Sequence, residues 1–531
     1  MFNKKNIALF LLCLTLFLAK TELKAQDKQA DSLRVTPAYI SWLQYTAQWQ
    51  QGTNAAGLWQ DSIMMFGRTK LGYNQEDGAF KMAQEPERTS QFNFETERYQ
   101  KIGRMLFYGR AAYTQQKDKG LQYSDVLDPY RGTPYILADS IGGAWQKQLY
   151  ALQVKAVSPA MAGQRLVLGL GATLNVGTGA RQNDPRPLST NNEITLTPGL
   201  TWRLNKSGTL GINGLYSHYR EEVSLEVKNG NVNHYLYKSL GLGQLEFPTA
   251  FTAGASRIYS GNKLGGDVQY QWRKESISWL TSLGYRTYQE RVADGTSVPR
   301  KSGTWKQKTY QFNSSLNVRG QNLLHRFSVS LQRLEDTGIE FHEFYDAATK
   351  TWKTLLEAEF YSSTCDQASF SYTLIKTQPE NSFNWLAEIG GNYGSVDKTY
   401  LIPASKQEIS RAEVWLTAAK NWNLPNAGNF QASIKGLYSK KLDASLLYIP
   451  ITADRTLLAR EVLYPDQAYA SADYLSTTLN IQYGFKLDKV RNVRFLLAGH
   501  LTNRHSMTSD PAYNNANGNR NYWGFSLSAL Y

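Results

Sequence analysis

Three groups of residues are placed where site chemistry can be sought. Six histidines stand at His218, His234, His325, His342, His500 and His505. No two of them have the four-residue spacing that puts a pair of ligands on one helix face, and none belongs to a metal-binding motif. His342 and Glu343 fall in what reads as a loop, where a solvated pair is the simpler reading. Ser506 follows His505, but adjacent residues do not by themselves set a nucleophile against its base. Asp510, Asn514, Asn515, Asn517 and Asn519 could offer oxygens to calcium, yet the same composition describes a solvated loop. No catalytic, cofactor-binding or metal residue is assigned on these grounds, and the chain reads as a protein without enzymatic activity or cofactor.

The other chemistry-bearing set is charge. Arg203, Arg273, Arg286, Arg319, Arg326, Lys435, Lys486 and Arg494 lie on strand faces opposite apolar neighbours, while the acids on those faces are Glu193, Asp267, Glu388 and Glu413. Of these, Arg203, Arg273, Arg319, Arg326 and Arg494 are the candidate lumen charges. They would either favour anions along a pore or serve as structural charges paired with acids, chain ends or a plug. The formal charge is +14, of which the first 25 residues carry +3, leaving about +11. Without a basic run, zinc spacing or recognition-helix pattern, this balance does not indicate nucleic acid.

The elements that must hold these charges are strands. Successive strand side chains point to opposite faces. Leu166, Leu168, Leu170, Ala172 and Leu174 oppose Gly169, Gly171, Thr173 and Asn175, and the same alternation recurs around Trp202, Phe312, Phe327 and Ile481. It reaches the last residue, where Trp523, Phe525, Leu527, Ala529 and Tyr531 share one face and only Leu530 spoils the other. Long polar connections are expected at Lys117–Gly143, Glu221–Ala250, Asp336–Tyr361, Leu442–Ala470 and Arg504–Asn519. Short turns are expected at Pro159–Gly163, Asn205–Gly208, Arg273–Ser276, Arg319–Asn322, Gln378–Asn381, Leu424–Gly428 and Asp488–Arg491. Tight periplasmic turns alternating with long extracellular loops are the rhythm of an outer-membrane barrel. The fold expected is all-β, a transmembrane antiparallel up-and-down β-barrel of about 18 strands (16–18), each ~9–15 residues long. The hairpin around Glu76–Gly78 decides the count.

The N-terminus fits export. Lys4 and Lys5 precede an apolar run from Ile7 to Ala19, and a cut between Ala25 and Gln26 is expected. That run is too short to span a bilayer as a helix. The expected organisation is a signal peptide over 1–25, an N-terminal segment over 26–60 and a barrel over 61–531. Cys365 is then the only cysteine, so no intramolecular disulfide staples the mature chain. In the N-terminal segment, Tyr39, Trp42, Leu43 and Ala47 fall at helical spacing within Ala38–Gln50. A short helix is expected there, plugging the lumen or resting beneath the barrel.

Several stretches carry resemblances. The face ending at Tyr531 resembles the C-terminal signal read by the outer-membrane assembly machinery. Gly52-Thr-Asn-Ala-Ala-Gly-Leu58, Gly78-Ala-Phe-Lys-Met82, Phe92-Asn-Phe-Glu-Thr-Glu-Arg98 and Leu106-Phe-Tyr-Gly-Arg-Ala-Ala-Tyr113 together resemble an uncharacterised outer-membrane barrel family of the Bacteroidota. Asn54, Gly57 and Leu58 lie in a segment similar to the N-terminal plug of fatty-acid and hydrocarbon transporters, with Ala55 where those carry proline. The resemblance implies an integral outer-membrane protein at the cell surface, in contact with membrane lipid and with a TonB-dependent receptor or surface lipoprotein as a partner. Porin-like passage or assisted uptake of a small solute is the function expected. The alternatives are a plugged diffusion channel for hydrophobic compounds and a non-transporting barrel that scaffolds lipoproteins.

Overall fold

A computed structural model describes residues 35–531 except Ser62, Met64, Ala253, 380–381, 425–427 and 488–492. The expected signal peptide and the turn at Asp488–Arg491 lie outside the described residues. So do parts of the turns at Gln378–Asn381 and Leu424–Gly428.

Eighteen strands form the wall: β1 Gly67–Gly78, β2 Arg88–Ile102, β3 Met105–Leu121, β4 Gly143–Val157, β5 Leu166–Arg181, β6 Arg186–Arg203, β7 Gly208–Glu226, β8 Gly254–Lys274, β9 Ile277–Asp294, β10 Arg300–Arg319, β11 Leu323–Asp346, β12 Thr351–Gln378, β13 Ser382–Tyr400, β14 Ser405–Asn423, β15 Asn429–Leu447, β16 Tyr474–Lys486, β17 Arg494–Ser506 and β18 Asn519–Leu530. Each pairs antiparallel with its neighbours in sequence. The ring closes where β1 meets β18, from Arg68 opposite Leu530 to Gly78 opposite Arg520. Closure leaves no edge strand in the ring, as a barrel in hydrocarbon requires. The hairpin at Glu76–Gly78 belongs to the wall and supplies β1 and β2.

The alternation sorts side chains as the sequence dictates. Leu170, Leu283, Val414, Ile481 and Phe525 point outward and are exposed, while their sequence neighbours face the lumen. Aromatic residues border this apolar band: Tyr113 pairs with Tyr150 and Tyr285 with Tyr310 across neighbouring strands, at centroid distances of 5.0 and 5.2 Å. Trp202, Trp279 and Trp422 are exposed nearer the turn end. Such girdles flank the lipid-facing band of an outer-membrane barrel. Beyond Tyr285 the same face of β9 continues as Thr287, Gln289 and Arg291, so the wall rises past the band.

That rise corrects two expectations. Asp336–Tyr361 is not a long loop. β11 and β12 stay paired to Asp346 opposite Thr351, leaving only residues 347–350 as a turn. The polar residues of this stretch are wall that projects beyond the apolar band, which also explains why strands reach 28 residues rather than 15. Residues 182–185, 295–299 and 401–404 are likewise short connections at the loop end, so long and short do not alternate strictly. The long loops that remain are 122–142, 227–253, 448–473 and 507–518, and the first three fold onto one another. Strand His234–Gly241 pairs with Thr249–Phe251, Gln244–Leu245 and Leu137–Ala138. The third loop carries helix Tyr464–Ser471.

Candidate functional site

The N-terminal segment lies inside the barrel at its turn end. Its helix, α1, spans Pro37–Thr46, shorter than the expected Ala38–Gln50. It starts where Thr36 Oγ1 accepts the Tyr39 N–H at 3.1 Å and where Pro37 has no N–H in need of an acceptor. The apolar face expected at Tyr39, Trp42 and Leu43 is buried with Val157, Val167, Ile375 and Phe383 of the wall. Leu530, which broke the pattern of the last strand, is fully buried in the same cluster. Past α1 the chain crosses to a short 3-10 helix, Ala55–Trp59. α1 packs on β13, β15 and β16, and the 3-10 helix on β4, β5 and β6. In an 18-strand ring these are opposite walls, so the segment spans the lumen.

Polar side chains pin it. Asn54, almost fully buried, donates from Nδ2 to Leu200 O at 3.0 Å, Ile212 O at 3.3 Å and Gln269 Oε1 at 3.0 Å. Its Oδ1 accepts the Ala56 N–H at 3.1 Å and so caps the 3-10 helix. Thr53 donates to Asp267 at 2.7 Å, and Asp267 also holds Asn213 at 2.9 Å and Arg286 at 2.8 Å. Gln48 donates to Ser315 O at 2.9 Å and accepts from Ser278 at 2.7 Å. Close approach needs missing side chains: a Cβ on Gly169 would lie 2.2 Å from Ala56 N, and one on Gly57 2.3 Å from the Trp49 ring. Leu58, beside Gly57, is buried in the apolar cluster.

The candidate lumen charges divide by position. Arg326 donates to the Tyr45 and Gln44 carbonyls and, at 3.1 Å, to Gln51 Oε1. Arg319 lies over the Trp42 ring at 5.8 Å, and Arg273 donates to Gln60 O at 3.2 Å. These three therefore converge on the plug. Arg203 is exposed at the rim of the turn end, and Arg494 is buried at the foot of β17 opposite Leu530. Among the acids, Glu388 accepts from Thr373 and Trp415, and Glu413 from Tyr474 and Asn392. Lys435 sits over the Trp415 ring at 4.9 Å. Within the plug, burial pushes the Asp61 carboxyl up to about 7, partly offset by the Gln50 N–H at 2.8 Å and by Arg273.

The opposite mouth is covered by the long loops. Arg131 reaches in from loop 122–142, grips Glu290 through two hydrogen bonds of 2.6 and 2.8 Å, and lies over Tyr219 and Tyr259 at 4.9 Å. Arg257 holds Asp294 at 2.7 Å, with Lys238 of loop 227–253 on the same carboxylate at 2.6 Å. Arg181 joins Asp139 and Asp125 of loop 122–142. Asp466 of the third loop accepts from Ala83 N at 2.7 Å and the Tyr130 hydroxyl at 3.3 Å, and burial raises its carboxyl to about 6. Sequence reading did not find this set. Arg131 and Lys238 look like ordinary loop cations until the loops are folded back.

The remaining motifs are tied up locally. The Ser506 hydroxyl donates to Ala516 O at 2.6 Å, and the ring of His505 meets Asn519 Oδ1 at 2.6 Å. Asp510 accepts the Ala512 and Tyr513 N–H groups, and Asn515 donates to Lys81 O and Pro465 O. Among the described residues, no group of three or more His, Cys, Asp or Glu side chains could hold a metal ion.

Similar solved structures include the ferric preacinetobactin receptor BauA from Acinetobacter baumannii, at 9% identity over 88% of this chain and 80% of that one, TM-score 0.37. The FrpB iron transporter from Neisseria meningitidis matches at 8% identity over 90% and 83%, TM-score 0.40. A Pseudomonas aeruginosa FadL homologue matches at 12% identity over 90% and 92%, TM-score 0.31. No curated protein matches the chain. One family model matches residues 55–531, from the 3-10 helix of the plug to the last residue, and the chain accordingly belongs to that family, the family of unknown function DUF6850.

Proposed function

We propose that the protein resides in the outer membrane of a Gram-negative cell and passes a small solute through a lumen gated by residues 35–61. The observation that carries this reading is the construction of the plug. It crosses from one wall to the other and is held by side-chain hydrogen bonds and one apolar cluster, so it can leave without breaking the strand ladder. A barrel serving only as a scaffold has no need of a separable occluding segment. Arg273, Arg319 and Arg326 line the space it would vacate and would then favour anions. The partner proposed is a TonB-dependent receptor or surface lipoprotein, the class implied by the N-terminal motifs. Liposome swelling with sugars and amino acids of graded size tests the gate. The intact chain should admit them slowly and a chain lacking residues 35–60 several-fold faster. Equal, negligible flux from both, with both folded, would overturn the gate and favour the scaffold reading.

A second reading, lateral release of a hydrophobic solute into the bilayer, is favoured by one wall defect. Pro198 lies inside β6 and has no N–H to give. The β6–β7 pairing skips from Leu196–Tyr216 to Gly199–Asn213, beside the carbonyls that hold Asn54. Replacing Pro198 with Val restores a donor. It should block uptake of an alkane or fatty acid while leaving polar flux unchanged if the path is lateral. Unchanged hydrophobic uptake would remove this reading.

A further inference from the structure

We infer that the loop end carries a binding pocket for a small zwitterionic solute with an apolar body, chemically an aromatic amino acid or a short peptide ending in one. The inference does not depend on the gate. A pocket of about 600 Å³ opens at this end, where loops 227–253 and 448–473 meet the projecting tops of β10–β13. That volume lies in the range of sites that enclose small ligands, which are mostly apolar with a few convergent polar groups. Phe247, Phe341, Phe360 and Ile402 supply the apolar surface. Phe247 is 64% exposed and Ile402 65%, a large apolar area to leave facing water above the apolar band.

The polar groups in the lining are unevenly paired. Arg300 and Glu246 form an ion pair at 3.1 Å and compensate each other. Glu340 and Arg455 do not. Glu340 is 5% exposed and accepts the Tyr400 hydroxyl at 2.8 Å, with no cation within ion-pair distance among the described residues. Arg455 lies over the Phe247 ring at 5.4 Å, and its Nε is buried without an acceptor. A buried carboxyl group without a cation is costly alone, and the half-buried Arg455 guanidinium, which forms no ion pair with its exposed neighbour Asp454, keeps capacity for a second anion. Both line one apolar pocket, where a ligand ammonium would satisfy the first and a ligand carboxylate the second. A neutral hydrophobic solute would meet the rings and leave both charges unmet. A purely anionic one would meet Arg455 and crowd Glu340.

The test uses the full detergent-folded barrel and isothermal titration with the dipeptide alanyl-phenylalanine. Its N-acetyl and C-amide forms and toluene serve as comparisons. The zwitterion should bind, and either blocked form should bind at least 10-fold more weakly. Glu340→Gln should weaken the zwitterion at least 10-fold and leave the N-acetyl form unchanged. Arg455→Gln should do the same for the zwitterion and leave the C-amide unchanged. Heat-modifiable migration and far-ultraviolet dichroism report that each variant is folded. Phe247→Ala, an exposed change outside the wall, should weaken every ligand alike. Absence of binding by the dipeptide, equal affinity of the blocked and free forms, or tighter binding of toluene would each overturn the proposal.

Discussion

Removing one side chain should loosen the plug by an amount the geometry sets. Asn54→Ala deletes a buried amide that donates three hydrogen bonds, to Leu200 O, Ile212 O and Gln269, and accepts one from Ala56 N. A buried hydrogen bond contributes a net ~1 kcal/mol, and those to Ile212 O and Ala56 N are long or local, so the loss is about 2–4 kcal/mol. At 1.4 kcal/mol per tenfold, the undocked population rises about 30- to 700-fold. Native-state hydrogen exchange read by mass spectrometry reports that population directly for segments that open without global unfolding. Amides of residues 53–61 in the variant should exchange faster by that factor, while those of β4–β6 keep their protection. The Gly57 and Gln60 N–H groups, bonded to Asn54 O and Gly57 O, are the internal probes. Exchange that rises less than about threefold would show that the apolar cluster alone holds the plug. Acceleration spread equally over the wall would show that plug and barrel are one cooperative unit, and the gating argument would fail.

Other outcomes follow from the same contacts. The Asp61 carboxyl titrates higher when docked than when free, so docking is strongest below about pH 4 and weakens as pH rises towards 7. The difference is ~2 kcal/mol, half the full conversion because the group is partly open to solvent. Asp61→Asn keeps an acceptor for the Gln50 N–H and should abolish the change in protection factors between pH 5 and pH 8; a persisting change would assign the effect elsewhere. Phe525→Asp places a charge on the outward face at a cost of up to ~2–4 kcal/mol near the midplane and should sharply lower the heat-modifiable fraction. Ser526→Asp, facing the lumen, should not, and equal behaviour of the two would contradict the assigned faces. With residues 35–60 removed, Arg319→Glu with Arg326→Glu should move the reversal potential toward cations at low salt, where screening is weak. An unmoved potential would place the ion path away from these arginines.

The wall was legible in the sequence because its rule is local. A period of two needs only neighbouring residues, so the outward faces, the aromatic last residue and the 18 strands could be read before any contact was known. The same rule misled at Asp336–Tyr361. There the strict alternation of apolar and polar residues lapses above the apolar band, and without it the sequence does not separate a loop from a projecting hairpin. The plug's expected apolar contacts, Tyr39, Trp42, Leu43 and Ala47, were visible for the same local reason.

The site was only partly legible. The sequence marked Asn54, Gly57 and Leu58, and the five arginines that could face a lumen. It could not say that Arg273, Arg319 and Arg326 meet the plug. Nor could it link Thr53 to Asp267, Gln48 to Ser278 and Ser315, or Arg131 to Glu290. Those partners lie between 159 and 267 residues apart, across the ring or from loop to wall. An inward face is fixed by backbone geometry within a strand. The choice of which inward group meets which depends on ring closure, on the stagger between distant strands and on the path of a segment that crosses the lumen. Local sequence determined the faces, and only the closed barrel decided the contacts, because hydrogen bonds and ion pairs form at ångström separations that strand periodicity does not encode.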